Sequence, residues 1–314
     1  MNDLGSRRIP FLFIIDFLMK TPIVLPFDDV DDCAILYDIQ GIRNFKPKRP
    51  SNIQTILKKF PISYDRYATA FSHVAQNIRD GNSYLLNLTF PTRIHTQLNL
   101  REIFFLSSAK YKLLLEDRIV VFSPEPFVRI HDGVISSYPM KGTIDASIPN
   151  AHRSILHDEK ERAEHTTIVD LIRNDLSMVA ADVHVESFRY VEHITTNEKN
   201  LLQVSSKVSG TLPLNYQDHI GTILFTMLPA GSISGAPKKK TIEIILENEK
   251  YDRGYYTGVL GCFDGSTLDS GVMIRFIESI DGELYYKSGG GITSLSKPEL
   301  EYQEMIDKVY VPVA

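Results

Sequence analysis

The amino-acid sequence predicts an α+β fold with two layers of sheet and helices outside them. Two stretches of the chain contain several short segments rich in β-branched and aromatic residues. Segments with the period of an amphipathic helix precede, separate and follow those stretches. No internal repeat, low-complexity tract or linker rich in Pro, Gly or Ser divides the chain, so we expect residues 1–314 to form one domain.

The strands are predicted from short apolar runs bounded by turn residues. Asp16 cuts the first run, Ile9 to Ile15, and no small-residue cleavage site follows it, which favours a strand over a signal peptide. Asp132-Gly133 is typical of a two-residue hairpin turn. Further strand-like segments are Ala34–Tyr37, Tyr84–Phe90, Lys112–Leu115, Arg118–Phe122, Val128–His131, Val134–Tyr138, Tyr255–Phe263, Ser270–Ile277 and Glu283–Ser288.

The helices are predicted from apolar residues that recur three or four positions apart. One pattern runs from Tyr64 to Arg79 and ends at the turn residues Asp80-Gly81-Asn82. A second begins near Asp158 and runs to about Val179. The remaining helices are predicted at Tyr216–Met227, Pro237–Asn248 and Lys297–Val309.

The composition excludes several classes of protein. A hydrophobic fraction of 43% is enough for a substantial core, and the formal net charge is −5 with acidic and basic residues interspersed. No basic cluster predicts a nucleic-acid surface. No apolar stretch approaches the roughly 18 residues that a membrane-spanning helix needs. We therefore expect small-molecule or protein partners, and neither nucleic acid nor membrane.

The two cysteines predict a reducing environment. Cys33 and Cys262 lie far apart in the chain, each in an apolar stretch. Such positions favour buried free thiols over a disulfide. A cytoplasmic location is the corresponding expectation.

Two helices carry carboxylates in patterns that fit more than one explanation. Glu164 lies four residues before Ile168, on the apolar stripe of its helix, where a charge needs a cation nearby. An acid in the first turn also interacts favourably with the helix dipole. In the last helix Glu301 and Glu304 are followed by Lys308, which could form an ordinary exposed Glu–Lys pair or part of a site.

Three loops or strand ends could hold a ligand. Gly289-Gly290-Gly291 follows a strand-like segment, and glycines allow backbone N–H groups to approach an anion or to form an ordinary turn. The segment from Pro229 to Lys238, which contains Ser232, leads into a helix and could bind a carboxylate or phosphate there. Glu125 and Lys141 stand at the ends of strands, Lys141 within Pro-Met-Lys141-Gly-Thr143, although most lysines in turns are simply exposed.

The order of these motifs resembles that of the chorismate-utilising enzymes, which include the anthranilate, aminodeoxychorismate, isochorismate and salicylate synthases. The resemblance runs from about Tyr67 to the C-terminus. It rests mainly on Asp158-Glu-Lys-Glu-Arg-Ala-Glu164-His, Ile168-Val-Asp-Leu-Ile-Arg-Asn-Asp175, Gly231-Ser-Ile-Ser-Gly-Ala-Pro-Lys238, and Gly289-Gly-Gly291 followed by Glu301-Tyr-Gln-Glu304. It implies a two-layer β-sandwich of antiparallel sheets with helices outside, like that of anthranilate synthase component I, and an active site between the sheets.

The resemblance also assigns roles to individual residues. It implies that Glu164 and Glu304 bind Mg²⁺ with Glu301 close by, and that Glu125 is a general acid that protonates the departing C4 hydroxyl of chorismate. A hard cation held by few carboxylates is typical of magnesium. Burial or a neighbouring carboxylate should raise the pKa of Glu125. The implied substrate-binding residues are Arg275, Lys308, Tyr256, Gly289, Gly290, Gly291, Ser232 and Thr143.

Two positions favour the aminodeoxychorismate synthase branch of this family. Lys141 stands where that branch has a lysine and anthranilate synthases usually have alanine. Leu85 stands where isochorismate and salicylate synthases have a lysine that activates water. The resemblance thus implies Mg²⁺-dependent conversion of chorismate and ammonia to 4-amino-4-deoxychorismate, for p-aminobenzoate and folate synthesis, through a covalent bond to Lys141. We expect the pKa of Lys141 to be lowered, because the attacking amine must be neutral.

The resemblance implies a partner and leaves alternatives. Nothing in the chain resembles a glutaminase, so a glutamine amidotransferase subunit is expected to supply ammonia. Leu85 and Gln203 depart from the glutamine and histidine that are usual in aminating relatives. Residues 1–66 are a reduced N-terminal part and 67–314 carry the motifs, so inhibition by tryptophan is not expected. Anthranilate synthase component I is the nearest alternative function, and a catalytically idle ligand-binding or scaffold subunit is the alternative from another class.

Overall fold

The computed structural model describes residues 1–47, 57–157, 159–195 and 200–312. Its helices are α1 Asn2–Ser6, α2 Tyr64–Arg79, α3 Leu100–Leu106, α4 Ala151–His157, α5 Glu159–Ser177, α6 Ile220–Met227, α7 Gly231–Ser234, α8 Lys238–Glu249 and α9 Pro298–Asp307, with 3-10 turns at Phe27–Asp29 and Tyr216–His219. Its first strands are β1 Phe11–Ile15, β2 Ile23–Pro26, β3 Ile35–Ile39, β4 Ile42–Arg43, β5 Lys58–Phe60, β6 Leu86–His95, β7 Tyr111–Leu115, β8 Ile119–Ser123 and β9 Pro126–His131. The others are β10 Val134–Ser137, β11 Met140–Asp145, β12 Ala181–Thr195, β13 Asn200–Thr211, β14 Val259–Phe263, β15 Leu268–Val272, β16 Phe276–Ile280 and β17 Glu283–Ile292.

The described strands form two antiparallel sheets, and the predicted α+β fold is confirmed. The first sheet has the order β11-β13-β10-β9-β15-β14-β1-β2, with β12 paired to β13. The second has the order β4-β3-β7-β8-β16-β17-β6-β5. No helix in the ranges given above is long and apolar enough to cross a membrane.

The sheets pack on each other through one apolar layer, and β1 shows why that strand is apolar throughout. Leu12 and Ile14 pack between the sheets, against residues of β7 such as Leu113. Phe11 and Phe13 point the other way, towards the helices on the outer face of the first sheet. Because successive side chains point to opposite faces, a strand buried on both faces reads as a continuous apolar run.

Strand β6 has the same two-sided geometry, but one of its sides is polar. Leu86, Leu88 and Phe90 pack against α2 and α8. Asn87 and Thr89 alternate with them and face a cavity. The alternation of apolar and polar residues in this strand therefore separates a core face from a ligand-facing surface.

Several predicted elements differ from the observed ones. The predicted strand Ser270–Ile277 is wrong: β15 lies in the first sheet and β16 in the second, and between them Arg275 has a φ of +53°. The apolar run continues through this crossing because both strands are buried, so periodicity could not reveal the break. Asp158, the predicted start of a helix, lies outside the described residues. Helices α3 and α4 were not predicted, and Cys33 is exposed rather than buried, although both thiols are free.

We expect Gly271→Ala to destabilise the sandwich. A Cβ at Gly271 on β15 would overlap Cγ of the Tyr111 ring on β7, which is the base of that side chain and not a flexible end. Overpacking of this kind typically costs about 1–3 kcal/mol. Urea unfolding should show this loss in the free energy of unfolding. In a Tyr111→Ala background the same substitution should cost little, and equal costs in both backgrounds would contradict this contact as the cause.

Candidate active site

A cavity of about 530 Å³ lies where both sheets meet helices α5, α7 and α9. Its volume falls within the roughly 300–1,000 Å³ of small-molecule sites. The first sheet contributes β9, β10, β11 and β13, and the second contributes β6 and β17. Because these elements are far apart in sequence, the cavity depends on the whole sandwich rather than on one local motif.

The fold brings the sequence-predicted residues together in this cavity. Gly290 alone among them is not in its lining, because its missing side chain would point towards α9. The predicted residues that line it are Lys141, Glu125, Arg275, Lys308, Tyr256, Gly289, Gly291, Ser232, Thr143, Glu164, Glu304 and Glu301. Their shared location fits one site, while their individual roles remain predictions.

Lys141 enters the cavity from a bulged strand. It lies on β11 opposite Val204 of β13, and the register shifts between Lys141 and Thr143. Gly142 has a φ of +74° at this shift, where a residue with a side chain would be strained. Bulges of this type re-aim side chains beside functional sites. The result is a Lys141 Nζ that lies 3.0 Å from Glu164 Oε2 of α5.

The expected lowering of the Lys141 pKa is wrong for this ligand-free arrangement. Burial acts to lower the pKa, but attraction from Glu164, with smaller contributions from Glu161 and Glu304, raises it above its usual value. The side chain is 28% exposed and Glu164 only 10%, so the surrounding solvent screens this attraction weakly. Lys141 is therefore held here as an ammonium ion.

Glu125 lies in the short link between β8 and β9. Its backbone N–H donates to Ser123 Oγ over 3.2 Å, and its carbonyl accepts from Val272 N–H over 3.0 Å. Ser232 Oγ donates to Glu125 Oε1 over 3.3 Å. Burial raises the pKa of the Glu125 carboxyl, opposed by the Ser232 hydrogen bond and by Lys141. The predicted direction of this pKa shift is thus confirmed.

The turn that carries Ser232 is fixed from two sides. Asp175 of α5 accepts from Gly231 N–H over 3.1 Å and pairs with Lys238 Nζ over 2.8 Å. Asn87 Nδ2 donates to the carbonyls of Ser232, over 3.2 Å, and Ile233, over 3.0 Å. The predicted anion-binding loop is therefore a turn held by hydrogen bonds on two sides, and its Ser232 side chain points at Glu125.

The glycine run is part of a strand rather than a loop. Gly289, Gly290 and Gly291 pair with Thr89, Leu88 and Asn87 in the ladder between β17 and β6. None of the three has a positive φ. Gly290 leaves room for two carboxylates because it has no side chain: a Cβ there would lie 3.2 Å from Glu301 Oε2 and 3.4 Å from Glu304 Oε1.

Helix α9 supplies two carboxylates and a cation. Glu301 is 5% exposed, whereas the Glu304 side chain is 51% exposed. Lys308 Nζ contacts Glu304 Oε1 at 2.6 Å and donates to the carbonyl of Gly289 over 2.9 Å. The predicted pairing of Glu304 with Lys308 is confirmed, and it lies at the cavity wall.

The three glutamates match the donor type that magnesium prefers. Glu164, Glu301 and Glu304 all line the cavity, and carboxylate oxygens are ligands for hard cations. The structure does not place one carboxylate oxygen from each of these glutamates within 4.8 Å of the other two. Among the described residues, the one group of three possible ligands that meets this distance is the exposed Asp31, Asp32 and Cys33. Mg²⁺ commonly binds through one or two carboxylates plus substrate and water oxygens, so these residues fit it as a shared site.

Arg275 and Tyr256 also line the cavity. Arg275 has a φ of +53°, its Nη1 donates to the carbonyl of Lys308 over 2.8 Å, and its guanidinium lies 4.6 Å from the Tyr310 ring centre. Tyr256 is 4% exposed, and burial raises its pKa. Arg275 keeps other N–H groups that could bind a carboxylate.

Sequence reasoning assigned no role to two residues that line the cavity, Asn87 and Asp175. Gln203, which was expected to depart from the family's usual histidine, also lines it. Alternation along β6 could have identified Asn87, since it lies between two core leucines. Leu85 is buried, and a Cβ at Gly291 would lie 3.1 Å from Leu85 Cδ1 and 4.0 Å from Lys141 Nζ. Leu85 and Lys141 therefore approach the same point of the cavity wall.

Comparison with known proteins identifies the family. The sequence profile of the chorismate binding enzymes matches residues 29–314. The chain belongs to this family. Over 99% of its length it is 52% identical to an uncharacterized PabA-like protein of Pasteurella multocida, 97% of which is covered.

Relatives in the family with named activities are more distant. Aminodeoxychorismate synthase component 1 of Bacillus subtilis is 32% identical over 80% of this chain and 55% of that protein. Anthranilate synthase component 1 of Acetivibrio thermocellus is also 32% identical, over 79% of this chain and 52% of that protein. The chain spans about half the length of these two relatives, and overall identity does not separate their activities.

Solved structures of related proteins share the fold. The menaquinone-specific isochorismate synthase of Escherichia coli has a TM-score of 0.74 at 15% identity, covering 98% of this chain and 78% of that one. Anthranilate synthase component I of Streptococcus pneumoniae has a TM-score of 0.66 at 26% identity, covering 83% and 60%. The sandwich is therefore the architecture of this family.

We expect Glu125→Gln to stabilise the ligand-free protein at neutral pH. Burial raises the pKa of Glu125, so the folded chain binds this proton more tightly than the unfolded chain. The resulting stability is fully present below the unfolded pKa and is lost as pH rises through the folded pKa. A glutamine side chain does not ionise, so the variant does not lose this stability as the pH rises. Thermal unfolding should give the variant a higher Tm near pH 8, with the difference shrinking towards about pH 4.

The matched control is Glu247→Gln, which changes an exposed side chain on α8. It should shift Tm little at either pH. A Glu125→Gln variant that is no more stable than the wild type near pH 8 would contradict the desolvation of this carboxyl.

Proposed function

We propose that this protein is an aminodeoxychorismate synthase component I that converts chorismate and ammonia to 4-amino-4-deoxychorismate. The observation that carries the proposal is the position of the Lys141 amine, which enters the cavity 3.0 Å from Glu164. Leu85 lies at the same wall and supplies no base for water. An amine nucleophile without a water-activating lysine favours amination over hydroxylation.

The charges of the cavity suit a substrate with two carboxylates. Arg275 and Lys308 line it, and the Arg275 guanidinium can form paired hydrogen bonds with a carboxylate. Tyr256, Thr143, Ser232 and the Gly289–Gly291 strand complete the proposed substrate contacts. Such contacts orient the ring so that C2 faces Lys141 and the C4 hydroxyl faces Glu125.

The first step joins Lys141 to the substrate. Neutral Nζ attacks C2, both ring double bonds shift, and the C4–O bond breaks. Glu125 gives its proton to the departing hydroxyl, which leaves as water. The raised pKa of Glu125 supports this role, because it favours the protonated form that a general acid needs.

The second step reverses the displacement with a different nucleophile. Ammonia attacks C4, both double bonds shift back, and the C2–Nζ bond breaks to regenerate the Lys141 amine. The Glu125 carboxylate accepts the proton that the new ammonium group releases, which restores the acid. Two displacements with transposition place the amino group at C4, where the hydroxyl stood.

Glu164 and Glu304, with Glu301 beside them, are the residues that would hold Mg²⁺. The ion would neutralise a substrate carboxylate when bound. The support for this assignment is the chemistry of the donors and their position around the cavity. Glu301 is almost wholly buried, which fits a role behind the ligands rather than at the surface.

A separate glutamine amidotransferase subunit is the proposed source of ammonia. Glutamine hydrolysis of this type uses an activated cysteine, and neither thiol here fits that role. Burial raises the pKa of Cys262, and the neighbouring Asp31 and Asp32 raise that of Cys33. Both shifts oppose the thiolate that a nucleophilic cysteine needs.

We expect the purified protein to consume chorismate with Mg²⁺ and an ammonium salt, and to release 4-amino-4-deoxychorismate. Lys141→Ala should lower kcat by roughly three orders of magnitude or more, because the covalent route is lost. Lys141→Arg keeps the charge without a usable nucleophile, so it should be equally inactive. Product mass spectrometry and detection of a chorismate adduct on Lys141 provide the measurements.

Each alternative function predicts a different result in that assay. Anthranilate synthase activity would release fluorescent anthranilate and pyruvate without an added lyase. An idle ligand-binding subunit would bind chorismate without turnover. Normal amination by Lys141→Ala would contradict the covalent mechanism, and substantial activity in Lys141→Arg would assign the lysine an electrostatic role instead.

We expect removal of divalent metal by EDTA to abolish turnover and added Mg²⁺ to restore it. Glu164→Gln should weaken activation by Mg²⁺ by about tenfold or more, since it removes a charged oxygen ligand. Glu247→Gln, on the exposed face of α8, provides the matched control. Full activity in EDTA would refute the metal assignment without affecting the assignment of Lys141.

A further inference from the structure

A fully buried ion pair lies behind the cavity, outside all of the predicted site residues. Arg253 and Glu249 are each 1% exposed, and the pair is bidentate: Nε to Oε2 is 2.8 Å and Nη2 to Oε1 is 2.6 Å. Glu249 ends α8, and Arg253 follows in the turn before β14. Buried ion pairs contribute little net stability compared with apolar packing, so a structural role alone explains this one poorly.

One set of hydrogen bonds connects the pair to Glu125. Arg253 Nη2 donates to the carbonyl of Asn87 on β6 over 2.8 Å. The Asn87 side chain donates in turn to the carbonyls of the Ser232 turn, at 3.0 and 3.2 Å. Ser232 Oγ donates to Glu125 Oε1 over 3.3 Å. The proposed general acid is thus linked to Arg253 through a continuous series of contacts.

A second contact holds the wall that carries Tyr256. Arg253 Nη1 donates to Thr257 Oγ1 over 3.1 Å. Thr257 has a φ of +62°, a left-handed conformation that a β-branched residue rarely adopts. Strained residues of this kind persist where their surroundings hold them and are concentrated at functional sites. Thr257 and Tyr256 both line the cavity, so the guanidinium stabilises a strained segment of its wall.

Glu249 fixes the same strand from the other end of the pair. Its Oε1 accepts from the Thr89 backbone N–H and from Thr89 Oγ1, each over 2.8 Å. Thr89 pairs with Gly289 across the ladder to β17. The Glu249 carboxylate therefore holds β6 at Thr89, beside the glycine strand. The Arg253 guanidinium holds β6 two residues earlier, at the Asn87 carbonyl.

We propose that the Arg253–Glu249 pair positions the active site by fixing two of its walls, the Asn87–Ser232–Glu125 series and the Tyr256–Thr257 turn. Neither side chain lines the cavity, so they act through other residues and are positioning residues, not catalytic ones. Any effect on turnover rests on the proposed function. The effect on the two wall segments does not, and it is measurable in the ligand-free protein.

The main test replaces the pair without leaving a buried charge. In Arg253→Met with Glu249→Gln, methionine fills the space, and glutamine keeps an acceptor for Thr89 N–H. Neutral replacements of buried ion pairs are often well tolerated, so a melting temperature close to that of the wild type is expected. Hydrogen exchange followed by mass spectrometry should accelerate at residues 230–235 and 255–258 and remain unchanged in β1 and β14.

Kinetics on the same variant provide the functional measurement. We expect kcat for chorismate to fall about 10- to 100-fold, with KM changed by less than about threefold, because misplaced groups impair the reaction more than binding. Native exchange at both wall segments, or native kcat in a variant of native stability, would overturn the proposal. If the wild type does not turn over chorismate, the proposed function fails, and the exchange result still decides the positioning role.

A second variant covers the case in which the double substitution does not fold. Thr257→Val removes the hydroxyl that Arg253 binds and retains the shape of the side chain. It should accelerate exchange at 255–258 and lower kcat. The matched control is Thr92→Val on β6, whose buried hydroxyl has no hydrogen-bond partner among the described residues. Equal behaviour of the two valine variants would refute the role of the Arg253–Thr257 contact.

Discussion

The candidate site depends on the antiparallel ladder between β6 and β17. Nine residue pairs, from Leu284–Ile94 to Ile292–Leu86, keep these strands in register, and the three glycines lie at its cavity end. Because Gly290 has no side chain, the two carboxylates of α9 can approach one face of β17. Because Gly291 has none, the strand leaves space beside Lys141, whereas a Cβ on Gly289 would overlap the Leu88 carbonyl oxygen of β6. A slip of one residue would bring Ser288 or Ile292 into a position that a glycine now occupies.

The site contains opposite charges arranged in close pairs, and this governs what it can bind. Lys141 lies beside Glu164 and Lys308 beside Glu304. The proposed anionic substrate and divalent cation would bring matching charges, so that binding could exchange partners without leaving any group uncompensated. Uncompensated charge in a partly buried cavity is costly, which favours binding of the two ligands together. A ligand with charge of one sign alone would compensate only the cavity groups of the opposite sign.

Periodic patterns in the sequence predicted the elements whose packing is local. The helix Tyr64–Arg79 has an apolar stripe and a turn at its end, and it has the predicted bounds. The break at Arg275 was not predictable, since the apolar residues continue across it and only the sheet order shows the crossing. Motif order located Lys141 and Glu164 in one cavity. It missed Asn87, which alternation along β6 could have placed on the polar face, and Arg253, whose contact to the Asn87 carbonyl has no signature in sequence.

The pairing of Lys141 with Glu164 also bears on when the amine can react. Glu164 keeps the pKa of Lys141 high in the ligand-free cavity, so the resting amine is protonated and unreactive. Loss of the attraction to Glu164 would leave burial as the main influence on Lys141, and burial favours the neutral amine. The proposed covalent route therefore requires Lys141 to lose a proton before its amine can attack.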